Sequence, residues 1–117
     1  SPIKWQEFLD NVKDALSASH IKHTKPVSEK VQTIAVCGGT GSFLLRDAIY
    51  KRADVFVTSD FKYHEFFDAD GKIMIADVGH YESEWRTSSI IANRIKEKFT
   101  NFAVHLALAN TNPVQFR

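Results

Sequence analysis

Cysteine is nearly missing from this chain. Cys37 is the only one, so no disulfide can close within it, and so cysteine-poor a composition belongs to a reducing compartment. A cytoplasmic location is therefore expected. Long apolar runs are missing too. A helix that crosses a bilayer needs roughly 20 apolar residues, whereas the longest candidate, residues 102–109, is far shorter and carries His105. Residues 5–16 mix apolar with charged side chains throughout, so they do not read as a secretory signal. Charge of one sign is not in excess either: 15 Lys and Arg stand against 14 Asp and Glu, a formal net charge of +1. A nucleic-acid partner normally selects a basic face, and none is expected here. Nor is there an internal repeat, a low-complexity tract or an initiating Met; the chain opens on Ser1-Pro2, which suggests part of a longer protein.

What is present is a foldable α/β pattern. The 117 residues are 44% hydrophobic and 25% charged, enough apolar surface for the core of one compact domain. Trp5, Phe8, Leu9, Val12 and Leu16 recur at helical spacing with charged residues between them, which predicts an amphipathic helix. Residues 20–24 form a possible short strand, and residues 25–30, with Pro26, a loop. Residues 31–37 are apolar and β-branched and predict a strand, stopping at Gly38-Gly39-Thr40-Gly41-Ser42; residues 43–52 read as a helix. Further strands are expected over residues 53–59, 72–78 and 103–109. A short helix fits residues 60–68, and a long helix follows residue 79, with Ile91, Ile95 and Phe99 spaced four apart. Alternating strands and helices imply βα units, and strands apolar on both faces imply a sheet covered on both sides. The fold class expected is α/β, a largely parallel sheet with helices on both faces.

In such sheets ligands gather at the carboxyl ends of the strands. Three strand ends carry chemistry: the glycine-rich turn 38–42, then Ser59-Asp60-Phe61-Lys62-Tyr63-His64, then Asp77-Val78-Gly79-His80. Parallel strands would bring all three to one edge. His80 and Glu84 are four apart, hence on one face of a helix, and an imidazole nitrogen with a carboxylate suits zinc, manganese, iron or a similar divalent ion. The same residues could instead cap the helix and favour its first turn. His64 could move a proton near neutral pH or serve as a ligand, or simply be a surface histidine. The glycine turn could cradle a phosphate, but it lacks the lysine of a Walker A loop and does not spell G-x-G-x-x-G; a tight strand-to-helix turn explains it as well. Cys37 reads as a small core residue and His105 as structural.

Taken together, residues 35–42, 53–64, 77–84 and Asn110-Thr111-Asn112-Pro113 resemble the Nif-three-like family (NGG-one-interacting factor three), some members of which are labelled GTP cyclohydrolase I type 2-like. The resemblance covers most of the chain. It implies a protein of two associated α/β parts that hold two divalent metal ions per full-length subunit and assemble as a homohexamer. It makes His80 and Glu84 metal ligands and brings His64, as a catalytic candidate, to the same cleft. The family's His-His pair has no counterpart in these 117 residues, so residues 1–117 would be the C-terminal part, with the N-terminal half absent. On that ligand count the chain alone is expected to bind metal weakly, with His64 or Asp60 the first residues to consider as a further ligand. Ser59 stands where the family usually has glycine. The functions implied are a metal-dependent hydrolase of an unknown small molecule or, alternatively, a non-enzymatic metal-binding or regulatory protein-interaction factor.

Overall fold

The computed structural model describes all residues from Ser1 to Arg117, and they fall into two compact units, Ser1–Ser83 and Glu84–Arg117. The first unit is built on a four-stranded sheet in the order β2-β6-β5-β4. Its members are β2 (Lys22–His23), β4 (Ile34–Thr40), β5 (Val55–Ser59) and β6 (Met74–Asp77). The strands β4, β5 and β6 run parallel, while β2 adds to the β6 edge in the antiparallel sense. A separate two-stranded ladder joins β1 (Ile3–Lys4) to β3 (Lys30–Val31). The expected α/β class is thus what forms.

Side-chain alternation along the central strands makes two cores. Phe56 and Ile75 point into a cluster with Leu45, Ala48, Phe61 and Ile73, on the side of α2 (Leu45–Tyr50). Val55, Val57, Met74 and Ala76 point into the other, beneath α1 (Trp5–Leu16). The helix α1 is where the apolar spacing puts it: Leu9 is buried, Trp5, Phe8, Val12 and Leu16 pack around it, and Ser17 closes the helix in a left-handed turn at φ 53°. Because β5 and β6 are buried on both faces, neither shows the one-sided polarity of a solvated strand.

Several boundaries differ from the sequence reading. Residues 43–52 split into a 3-10 turn, Ser42–Leu44, followed by α2, and residues 60–68 give a 3-10 helix at Tyr63–Ala69. The long helix expected after residue 79 is two helices, α3 (His80–Glu84) and α4 (Thr87–Lys98). In the second unit the Ser88 hydroxyl donates to the Trp85 carbonyl at 3.2 Å, a side-chain bond that competes with the helical ladder at that break. The strand expected over residues 103–109 does not form. Its apolar residues suit a buried strand, but only Val104 is β-branched, a strand exists only when its backbone groups have a neighbour to pair with, and no ladder includes them. Local turns made by Asn110 and Asn112, each accepting the N–H two residues on, follow instead. No helix is long and apolar enough to cross a membrane.

Candidate metal site at the carboxyl edge of the sheet

The three parallel strands deliver their exits to one edge, and a left-handed residue lies near the end of each: Gly39 at φ 65°, inside the end of β4, Asp60 at φ 59°, just after β5, and Gly79 at φ 93°, two residues after β6. At the first, β4 bulges. Val36 sits opposite Val57 but Thr40 opposite Ser59, so residues 37–39 span the place of Thr58 alone. The buried Thr58 and Ser59 hydroxyls both donate to the Gly39 carbonyl, at 3.2 and 2.5 Å. At Gly41 a Cβ would run into Thr58 and Cys37, so close packing as well as turning selects glycine in this segment.

Asp60 ties the edge together. Its Oδ2 accepts the Thr40 hydroxyl at 2.7 Å and lies 2.5 Å from His80 Nδ1. A carboxylate offers only acceptors, so the imidazole is the donor in this pair. The Thr40 hydrogen bond first, and then the His80 one, hold the Asp60 carboxyl below its ordinary value. Asp77 does the corresponding work underneath: it is buried, its Oδ2 accepts the Phe61 N–H at 3.1 Å and its Oδ1 the Gly79 N–H at 3.1 Å. Lys22 on the edge strand pairs with it at 3.4 Å.

The helix α3 is pinned at a second point. Ser83 Oγ accepts the Gly39 N–H at 2.8 Å and donates to the His80 carbonyl at 2.8 Å. The Gly39 amide is therefore spent on holding α3, which is how this part of the glycine turn acts here. Replacing Gly79 by Ala should test the exit geometry: the positive φ is unsuited to an L side chain, and a Cβ would meet the Glu82 carboxylate. We expect a loss of about 1–3 kcal/mol in urea unfolding.

Of the residues singled out from sequence, His80 heads α3 with its side chain half exposed, and Glu84 ends the same helix. His64 lies on the 3-10 helix, exposed, edge-on to the Tyr63 ring at 5.3 Å; the hydrogen-bond network of Thr40, Asp60 and His80 does not include it. Thr40, Asp77 and Ser83 were not read as site residues from the sequence, and their only signal is position, each within a few residues of a strand end. A cavity of about 580 Å³ lies elsewhere, lined by Phe43, Arg46, Phe67 and Lys72 among others, and holds neither Asp60 nor His80.

The chain has relatives among known proteins. The family model for DUF34/NIF3 (NGG1p interacting factor 3) matches residues 1–113. The chain belongs to the NIF3 family. A Staphylococcus aureus (strain MSSA476) relative named GTP cyclohydrolase 1 type 2 homolog is 29% identical over 116 residues, covering 95% of this chain and 31% of the relative. A Clostridium perfringens (strain 13 / Type A) relative of the same name is 30% identical over 95 residues, 79% of this chain and 36% of the relative. The chain thus spans about a third of the curated NIF3 relatives it matches. Among solved structures, a Staphylococcus aureus protein superposes with a TM-score of 0.83 at 26% identity, over 100% of this chain and 39% of that one. A Bacillus cereus protein related to NIF3 gives 0.80 at 27% identity, over 100% and 34%.

Proposed function

We propose that this NIF3-family chain supplies one side of a two-metal site in a longer protein, with His80 and Glu84 as its ligands, and that the assembled protein is a metal-dependent hydrolase. The observation that carries the reading is the histidine at the head of α3: it stands on the ligand-binding edge of a parallel sheet with a carboxylate on its Nδ1, the backing that metal-bound histidines usually have. Glu84 ends that helix, four residues on. One imidazole nitrogen and one carboxylate oxygen suit zinc, manganese or iron. The chain forms no group of three or more His, Cys, Asp or Glu side chains able to hold an ion, so the donors present fit half of such a site and the remaining ligands would come from outside residues 1–117. When bound, divalent ions supply a water nucleophile at neutral pH and stabilise developing negative charge.

The residues of this chain then have distinct roles. Asp60 and Ser83 hold the head of α3 at the sheet edge, so His80 presents a fixed ring. His64, exposed on the 3-10 helix that follows β5, would move a proton to or from a small-molecule substrate. The relatives' name, GTP cyclohydrolase 1 type 2 homolog, makes a nucleotide ring-opening hydrolysis one case of this chemistry, and the family resemblance further implies a homohexamer. The lone cysteine supports a cytoplasmic setting.

The test is metal content of the intact protein. His80→Ala and Glu84→Gln should each lose bound metal by elemental analysis. The melting temperature without metal should be little changed, because both side chains are exposed and contribute little to either core. If His80 serves only to cap its helix, the Ala variant should cost about 0.5–2 kcal/mol and keep its metal. Wild-type stoichiometry in both variants would sink the assignment.

A further inference from the structure

The contact between Asp60 and His80 joins residues twenty apart in the chain, at two different strand exits. Three features make it a built contact. Asp60 leaves β5 in the left-handed region, at φ 59°, a conformation that asparagine and aspartate tolerate best among residues with a Cβ. The Thr40 hydroxyl, from the end of β4, donates to the same carboxylate oxygen that faces His80, and so fixes the carboxylate's rotation. The backbone on both sides is anchored by one buried group, since Asp77 accepts the N–H of Phe61, next to Asp60, and of Gly79, next to His80. The separation of the two strand exits is therefore set from beneath, and the carboxylate is aimed from the side.

We infer that Asp60, oriented by Thr40, is the positioning residue of His80: it holds the imidazole as the Nδ1–H tautomer, so that any ion the histidine binds is bound through Nε2. This rests on His80 being a ligand, as proposed above, and adds what sets its tautomer and aim. The chemistry requires it. A neutral imidazole carries one N–H, and a carboxylate on Nδ1 draws that proton to Nδ1, leaving the lone pair on Nε2. Rotation of the ring about its Cβ–Cγ bond would break the bond to Asp60, so the same contact that selects the tautomer selects the direction of the lone pair. Outer-shell partners of this kind typically alter metal affinity by 10–100-fold. Asp60 acts through His80 and does not itself reach the ion.

Two measurements decide it. The first uses this chain without metal. Long-range nitrogen–proton correlation spectra at mildly alkaline pH should show His80 with its proton on Nδ1. Asp60→Gly, a substitution that keeps the left-handed turn without strain, should shift His80 away from that tautomer. A wild-type His80 with no preference for Nδ1–H, or one unmoved by Asp60→Gly, overturns the inference. The second uses the intact protein and zinc in competition with a chelator. Asp60→Gly should weaken binding by about 10–100-fold while reaching wild-type stoichiometry at saturating zinc. Stoichiometry lost as in His80→Ala would make Asp60 a ligand and refute the positioning role. Wild-type affinity in Asp60→Gly, with His80→Ala losing metal, would refute the inference and leave the two-metal reading standing. Retention of metal by His80→Ala would instead end that reading, whatever the tautomer spectra show.

Discussion

Phe56→Ala should lower the unfolding free energy by about 3–5 kcal/mol, read as a fall in the urea midpoint with the slope unchanged. Phe56 is 2% exposed, on the central strand β5, in the cluster with Leu45, Ala48 and Ile75. It also meets Phe61 edge-on at 6.4 Å. The substitution therefore removes both transfer free energy and an aromatic contact, and its neighbours, Ile75 on β6 and Leu45 and Ala48 on α2, are held by their own backbone ladders and fill the space only in part. Small domains hold only about 5–15 kcal/mol in total, so the loss is a large share of the stability of the fold. The internal comparison is Phe43, 73% exposed, where the same change should stay within about 0.5 kcal/mol. A loss below about 1.5 kcal/mol at Phe56 would mean that the first core is packed more loosely than the sheet geometry requires.

Asp77→Ala should cost about 2–5 kcal/mol, for an electrostatic reason. The carboxylate is 3% exposed and accepts two backbone N–H groups, those of Phe61 and Gly79. Each buried donor left without a partner costs about 1–3 kcal/mol. The ion pair with Lys22 adds little, because that ammonium is 68% exposed. Asp77→Asn is the informative control: its amide oxygen can keep one of the two N–H bonds, so about half the loss should remain. Because these bonds anchor the backbone beside Asp60 and beside His80, and His80 is proposed as a ligand, we expect the Ala variant also to loosen metal in the intact protein. Equal stability of Ala and Asn would show that water satisfies the freed donors.

The amphipathic spacing of residues 5–16, the apolar runs that became β4, β5 and β6, and the strand–helix alternation were legible because each is a local pattern whose period reports burial. Edge placement followed as well: once the strands are parallel, their carboxyl ends must share an edge, so residues 38–42, 59–64 and 77–80 had to lie near one another. His80 and Glu84 stood out for the same reason, being a spacing on one helix. The site's supporting bonds were not legible. Gly39 reaches Ser83 across 44 residues and Asp60 reaches His80 across 20, and nothing in either segment alone encodes its partner.

By itself, then, the sequence determined the fold class, the faces of α1 and the edge that the three strand ends share, because hydrophobic periodicity is set by neighbours along the chain. Only the tertiary structure decided that the glycine turn clamps α3, that Asp60 faces His80, that Phe56 is core while Phe43 is surface, and that residues 103–109 take no place in a sheet. Those outcomes depend on strand register, on three left-handed exits and on whether a backbone finds a partner, and such pairings are fixed only when distant segments meet.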